Sequence, residues 1–258
     1  MKTIVITGAS SGIGAALARH LGREGHNLVI AARRAPVLNA VAHEVQSHVV
    51  TVRADVTRRA DVNRLCDEAI RAFGVVDVWI NNAGRGIAKP ALELTDGDFE
   101  EMMAVNVKSA LYGMQAIVPH FISRGQGHII NISSFLGRVP IATHRSAYNA
   151  AKAALNALTA NVRVDLARSH PAIRVSLVMP GLVSTEFAKN ALGSSGPSAP
   201  PWTPGTAMQA QTPEEVAAAI AGVIEHPVAE LYTNPASAKM AERYFADVGA
   251  FEAGPRGT

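Results

Sequence analysis

Only one cysteine, Cys66, occurs in 258 residues. No disulfide can form within the chain, and nothing points to an oxidising compartment. Long hydrophobic runs are also missing. The apolar stretches, such as 3–6 and 28–32, are strand-length and broken by polar residues, so no transmembrane helix and no membrane partner is expected. The first residues enter a strand without the basic, apolar and small-residue order of a secretory signal, and a cytoplasmic protein is expected. Concentrated charge is absent too. The formal net charge is +3, and the longest basic blocks are the pairs Arg33-Arg34 and Arg58-Arg59. Nucleic-acid binding needs charge gathered on one face, so no nucleic-acid partner is expected. The nine histidines are scattered, with no pair at the spacing of a helical zinc site, and no metal is expected.

What is present is an ordinary soluble composition, 48% hydrophobic and 17% charged, with ample material for a core. Short apolar strands are expected at 3–7, 27–32, 49–53, 76–80, 127–132 and 173–178. Helix-period stretches lie between them, for example 12–23, 58–73, 98–124 and 146–168. This alternation, with strands apolar on both faces, predicts an α/β chain. Its doubly wound, Rossmann-type parallel sheet has about seven strands, with helices on both faces. No internal repeat or second boundary stands out, so 1–258 is expected to be a single domain. The pattern breaks after Glu186. Residues 193–205 read GSSGPSAPPWTPG, and 187–211 is expected to be a substrate lid loop. A helix starting at Thr212-Pro213, a last strand through Leu231-Tyr232 and a short final helix follow, and 254–258 is expected to fray.

Residues 7–14 read TGASSGIG, directly after a strand and directly before a helix. Gly8, Gly12 and Gly14 permit a tight turn, and the helix start then offers free N–H groups to a pyrophosphate, with Ser10, Ser11 and Ile13 in the same turn. The spacing is G-x-x-x-G-x-G rather than the commoner G-x-G-x-x-G. Glycine-rich turns also close strands onto helices for packing alone, but the position at the very start of an alternating chain favours a dinucleotide. A phosphate-hydrolysing P-loop is excluded because no lysine follows the last glycine.

The glycine turn, Asn81-Asn82-Ala83-Gly84, and Tyr148 and Lys152 four residues apart occur in order. Together they resemble the short-chain dehydrogenase/reductase family, from residue 3 to about 185. The resemblance implies that Asn82, Ala83 and Gly84 end the fourth strand beside the cofactor's adenine end, and that Asp55, with Val56, meets the adenine. On its own, Asp55 would serve equally as an N-cap for the helix near Arg58. It also implies that Pro180, Gly181, Val183 and Thr185 form the nicotinamide-side loop, the Val183 backbone and Thr185 hydroxyl holding the carboxamide. A plain strand-exit turn is the alternative there.

Dinucleotide folds that take NAD place an acid at the end of the second strand, on the ribose 2′-hydroxyl. Here that strand ends Ala31-Ala32-Arg33-Arg34. A guanidinium pairs with a 2′-phosphate, so NADP(H) is expected over NAD(H). The alternative is that both arginines only solvate a helix start.

Tyr148 and Lys152, at i and i+4, share one helix face. A phenol titrates near 10, and a neighbouring ammonium favours the phenolate, so that Tyr148 can move the alcohol or carbonyl proton. As a bare pair they would be ordinary surface neighbours. By resemblance, Ser134 orients the substrate oxygen, with Ser133 the lesser candidate and a capping role its alternative. Asn106 resembles the residue that kinks the fourth helix and connects through water to the lysine. Ser134 precedes Tyr148 by 14 residues, one more than the commoner family interval, and the extra residue is expected in 141–145. These readings predict an NADP(H)-dependent oxidoreductase acting on a carbonyl/alcohol pair. A catalytically silent cofactor-binding sensor or scaffold need not keep Asn106, Ser134, Tyr148 and Lys152 together. The lid's Phe187, Leu192, Trp202 and Met208 suggest an uncharged, hydrophobic substrate, and apolar residues on several faces of 98–124 and 146–168 suggest a homotetramer or homodimer.

Overall fold

The computed structural model describes residues 1–187, 191–193 and 209–253. Seven strands, β1 (Thr3–Thr7), β2 (Asn27–Ala32), β3 (Val49–Arg53), β4 (Val78–Asn81), β5 (Gly127–Ile132), β6 (Ile173–Met179) and β7 (Glu230–Tyr232), form one sheet in the order β3-β2-β1-β4-β5-β6-β7. All neighbours pair parallel. Parallel neighbours need crossovers, and α1 (Gly12–Arg23), α2 (Ala35–His43) and α3 (Arg59–Phe73) supply the first three. α4 (Asp96–Met103), a wide π turn (Ala104–Lys108) and α5 (Ser109–Arg124) follow, then α6 (Ser146–Ser169), α7 (Pro213–Glu225), α8 (Pro235–Ala246) and α9 (Val248–Ala253).

The period-two alternation of the strands feeds two cores. Ile4 and Ile6 of β1 join Leu17, Leu21 and Ile220 of α1 and α7 on one face. Val5 joins Leu65, Ile117 and Phe121 of α3 and α5 on the other. Burial on both faces is why these strands read as nearly continuous apolar runs. The strand order reverses between β1 and β4, and in doubly wound sheets the loops leaving that point diverge to form the binding crevice.

Most expected elements stand where the sequence put them, with three corrections. β4 begins at Val78 rather than 76, because Val76 is held by helix side chains: its N–H donates to His120 Nε2 and its carbonyl accepts from Arg124. The expected single helix 98–124 starts two residues earlier, where Thr95 and Asp98 form a reciprocal capping box, and is interrupted by the π turn. Asp55 is not a helix cap, since Arg58 holds that position; Asp55 instead accepts from the Thr57 N–H and hydroxyl. The Thr212 capping box with Glu215 that starts α7 follows the expectation. Of the expected lid, 188–190 and 194–208 lie outside the described residues, as does the tail 254–258.

Candidate active site

The glycine turn depends on absent side chains. A Cβ on Gly8 would lie 2.7 Å from Ala83 Cα, and one on Gly14 would lie 2.5 Å from the Gly8 carbonyl oxygen. Gly8 and Gly12 also hold φ of 70° and 55°, where other residues are strained. Ser11 caps α1 with extended backbone and no side-chain bond, and the first turn carries no acid. The N–H groups at this positive helix end are left for an anion. Ile13 packs onto the core beneath.

The Asn-Asn-Ala-Gly segment is fastened to this turn. Asn82 Nδ2 donates to the carbonyls of Thr7 (2.9 Å) and Gly8 (3.2 Å), while Thr7 Oγ1 accepts from the N–H groups of Asn82 and Ala83. Asn81 faces the interior, where its Nδ2 donates to Asn131 Oδ1 at 2.8 Å. Beside the turn, a shallow opening is lined by Arg33, Arg34, Ala35, Pro36, Val37 and Arg53. Arg34 reaches Ser10 Oγ at 3.4 Å. Among the described residues, none of these three arginines is ion-paired. Arg53 was missed in the sequence, although the parallel register sets it beside Ala32 at the adjoining strand end. Asp55 and the buried Val56 follow β3 at the same end.

Across the crevice lies the second half of the site. Lys152 is 4% exposed, and its Nζ donates to the Ile132 carbonyl at 2.9 Å at the end of β5. Burial pulls this ammonium down to about 7. Tyr148 is buried beside it, with Lys152 Nζ 5.7 Å from the ring centroid and Phe187 packed edge-on at 5.4 Å. Burial raises the Tyr148 phenol above its usual value, while hydrogen bonding with Ser134 and the charge of Arg145 pull it back down. This corrects the expected electrostatics: desolvation dominates at Tyr148, the opposing pull comes from Ser134 and Arg145, and burial pushes Lys152 itself towards neutrality.

Ser134 Oγ accepts from the Leu136 N–H at 3.2 Å, holding the short turn that leads to Gly137. A Cβ on Gly137 would fall 2.7 Å from the Lys152 backbone, so this glycine lets the β5 exit lie against α6. Ser133 donates to Asn156 Oδ1 and is thereby engaged in the interior. Asn106, 1% exposed in the π turn, accepts from the Arg85 N–H and donates to the Arg85 carbonyl. Gly84 fits between it and the lysine, since a Cβ there would lie 2.9 Å from Asn106 Oδ1 and 3.6 Å from Lys152 Nζ.

Pro180 accepts from the Phe135 N–H as β6 ends. A Cβ on Gly181 would sit 3.0 Å from Ser237 Oγ. Val183 bridges to Gln211, and Thr185 Cγ2 comes within 3.4 Å of a Cβ built on Gly12. The β6 loop thus closes against the glycine turn, around an opening lined by Gly12, Ser184, Thr185, Glu186 and Pro213. A side-chain-free cradle at a positive helix end, unpaired guanidinium groups and a buried lysine opposite fit a dinucleotide. Two features are not legible in the linear sequence: the placement of Arg145 near Tyr148, and the packing of the lid residue Phe187 on that tyrosine.

The short chain dehydrogenase family model matches residues 2–194. The chain belongs to that family. It is 34% identical over 188 residues to an uncharacterized oxidoreductase of Staphylococcus epidermidis, covering 73% of this chain and 80% of the relative. A short chain dehydrogenase/reductase from Burkholderia phymatum, solved in complex with NAD, superposes with a TM-score of 0.85 at 26% identity, covering 96% of this chain and 94% of that one. A short chain dehydrogenase from Burkholderia cenocepacia, solved in complex with NADP, gives 0.80 at 28% identity, covering 98% and 96%. The fold is that of these relatives, and the chain is an oxidoreductase of the family. Among the described residues no helix is long and apolar enough to cross a membrane, and no three His, Cys, Asp or Glu side chains are grouped to hold a metal.

Proposed function

We propose that this chain transfers hydride between NADP(H) and the carbonyl/alcohol pair of a small molecule with an apolar body. The observation that carries the reading is the convergence of Tyr148, Lys152, Ser134 and the Asn106–Gly84 contact on one crevice wall, opposite the glycine turn.

The turn from Gly8 to Gly14, with Ser10 and Ser11, would hold the phosphates. Asp55, Val56 and residues 82–84 would line the adenine side, and Val183 and Thr185 the carboxamide. Arg33 and Arg34, with Arg53 beside them, would pair with a 2′-phosphate; the absence of an acid at the end of β2 supports NADP(H) over NAD(H). The bound nicotinamide supplies or accepts the hydride and, when oxidised, brings a positive charge. Tyr148 donates its phenolic proton to the carbonyl oxygen on reduction, or takes the alcohol proton on oxidation. Ser134 shares that oxygen. Lys152, fixed by the Ile132 carbonyl, keeps two N–H directions for the site, while Asn106 holds the loop that flanks it. Cells keep NADP largely reduced, so reduction is the assigned direction, by family analogy. A cytoplasmic homotetramer or homodimer completes the proposal; exposed Phe99, Ile122 and Val164 on α4, α5 and α6 support association, and a concentration-independent monomer mass by light scattering would defeat it.

The test is NADPH oxidation, followed by absorbance, across aldehydes, ketones, quinones and keto-steroids. Tyr148→Phe should lower turnover about 10³-fold while leaving NADPH affinity close to that of the parent. Near-normal turnover in Tyr148→Phe would overturn the chemistry. Silence of the parent protein, shown to bind NADPH, would favour the sensor.

A further inference from the structure

Arg145 is the residue immediately before α6, three positions ahead of Tyr148 and so on the same side of the helix start. Its backbone is held on both sides: the N–H donates to the Ala142 carbonyl, and the carbonyl accepts from the Asn149 N–H, both at 2.9 Å. Asn149 Nδ2 closes the same turn onto the Ala142 carbonyl. The guanidinium carbon lies 6.0 Å from the Phe187 ring centroid, the same ring that packs on Tyr148. One guanidinium nitrogen comes within 3.2 Å of where Gly86 would carry a Cβ.

Two neighbouring cations of this rim are paired. Arg85 pairs with Glu101, and Lys89 with Asp98 at 2.6 Å. Arg145 has no carboxylate partner among the described residues, although it is half-buried. It also stands at the positive end of a 24-residue helix whose first turn carries no acid. Both circumstances are unfavourable for a cation, and both are relieved by an anion.

Resting on the hydride-transfer reading above, we propose that Arg145 is a second polar anchor of the active site, binding a carboxylate on the substrate while Phe187 walls its apolar body. The substrate class is then a keto- or aldehydo-acid rather than a neutral carbonyl compound, which amends the uncharged substrate suggested by the lid composition. A guanidinium can meet a carboxylate through two parallel hydrogen bonds and so set the reacting carbonyl against Tyr148.

The test compares para- and meta-formylbenzoate with their methyl esters, in NADPH-dependent reduction and in calorimetric binding to the NADPH-loaded protein. The parent should prefer at least one acid over its ester. Arg145→Gln should cut that acid-to-ester ratio by tenfold or more, chiefly through KM, and Arg145→Lys should restore part of it. Parent turnover that favours the esters would overturn the inference and leave the hydride-transfer reading intact. Equal losses for acid and ester in Arg145→Gln, with a shifted pH profile, would also overturn it, leaving Arg145 only a field on Tyr148. Acid binding without reduction, lost in Arg145→Gln but kept in Tyr148→Phe, would support the anchor and sink the reading. If no acid either binds or turns over, the anchor is overturned.

Discussion

The two ends of the sheet treat charge in opposite ways. At the amino ends of the strands, polar groups close on one another. Asp77 accepts from the Thr3 N–H and pairs with Arg124, Lys2 pairs with Glu225, and His128 meets Ser176, whose hydroxyl donates to the Val228 carbonyl. At the carboxyl ends, Arg33, Arg34, Arg53, Arg145 and Lys152 have no carboxylate partner among the described residues, and Gly8, Gly14 and Gly137 stand where any side chain would collide with backbone. The first end seals the molecule. The second keeps positive potential and empty volume for something anionic, which a fold selected for stability alone would have filled or neutralised.

The largest test of that contrast is Gly14→Ala. Its methyl would meet the Gly8 carbonyl, which belongs to the backbone and cannot swing aside, so about 2–3 kcal/mol of stability should be lost in urea unfolding, together with NADPH binding. At the sealed end, the sharpest probe is acid. Burial lowers His128 to about 4 from an ordinary 6.5, and among the described residues its Nδ1 has no partner. The folded protein therefore binds fewer protons than the unfolded chain between those values, and stability falls as pH drops through that window. The contribution is on the order of 3 kcal/mol. His26, His120 and His144 are lowered in the same sense, so His128→Gln should flatten the slope of chemical-denaturation stability against pH without abolishing it. Next comes Arg33→Ala, expected to weaken NADPH binding roughly 10- to 100-fold by fluorescence titration, the worth of charge-assisted hydrogen bonds. NADH binding should barely move, and equal losses would place the phosphate contact elsewhere. The smallest effect belongs to Lys2→Met, where an exposed pair is screened by water and the unfolding free energy should change by under about 1 kcal/mol.

The sequence carried the sheet almost residue for residue, because burial on both faces leaves apolar runs whose ends are marked by turns. The glycine turn stood out by its place between a strand and a helix, whereas Tyr148 and Lys152 stood out only through the family resemblance, since their spacing alone is that of ordinary surface neighbours. The boundary at Val78 was hidden, since its cause lies in His120 and Arg124, two helix residues more than forty positions away. The start of α4 is legible in Thr95-Asp96-Gly97-Asp98, whose first and last residues form the capping box. Arg53 and Arg145 were hidden for different reasons. Arg53 gains meaning only from its register beside β2, and Arg145 only from its lack of a partner, which no linear pattern records. The electrostatics of Tyr148 were misjudged because burial, which dominates them, cannot be read from a four-residue spacing.

The wide turn at Ala104–Lys108 also has a meaning for how this chain can change. It amounts to one spare residue in an otherwise regular helical passage. Deleting one position there would let α4 and α5 fuse into a continuous helix with ordinary bonding, a local gain. It would also remove the bulge that presents Asn106, which would then release both backbone groups of Arg85. A tidier helix and an intact loop beside Gly84 are therefore alternatives. Selection for thermal robustness alone would push this segment towards the shorter form, so a library screened for stability should be counter-screened for length at this turn.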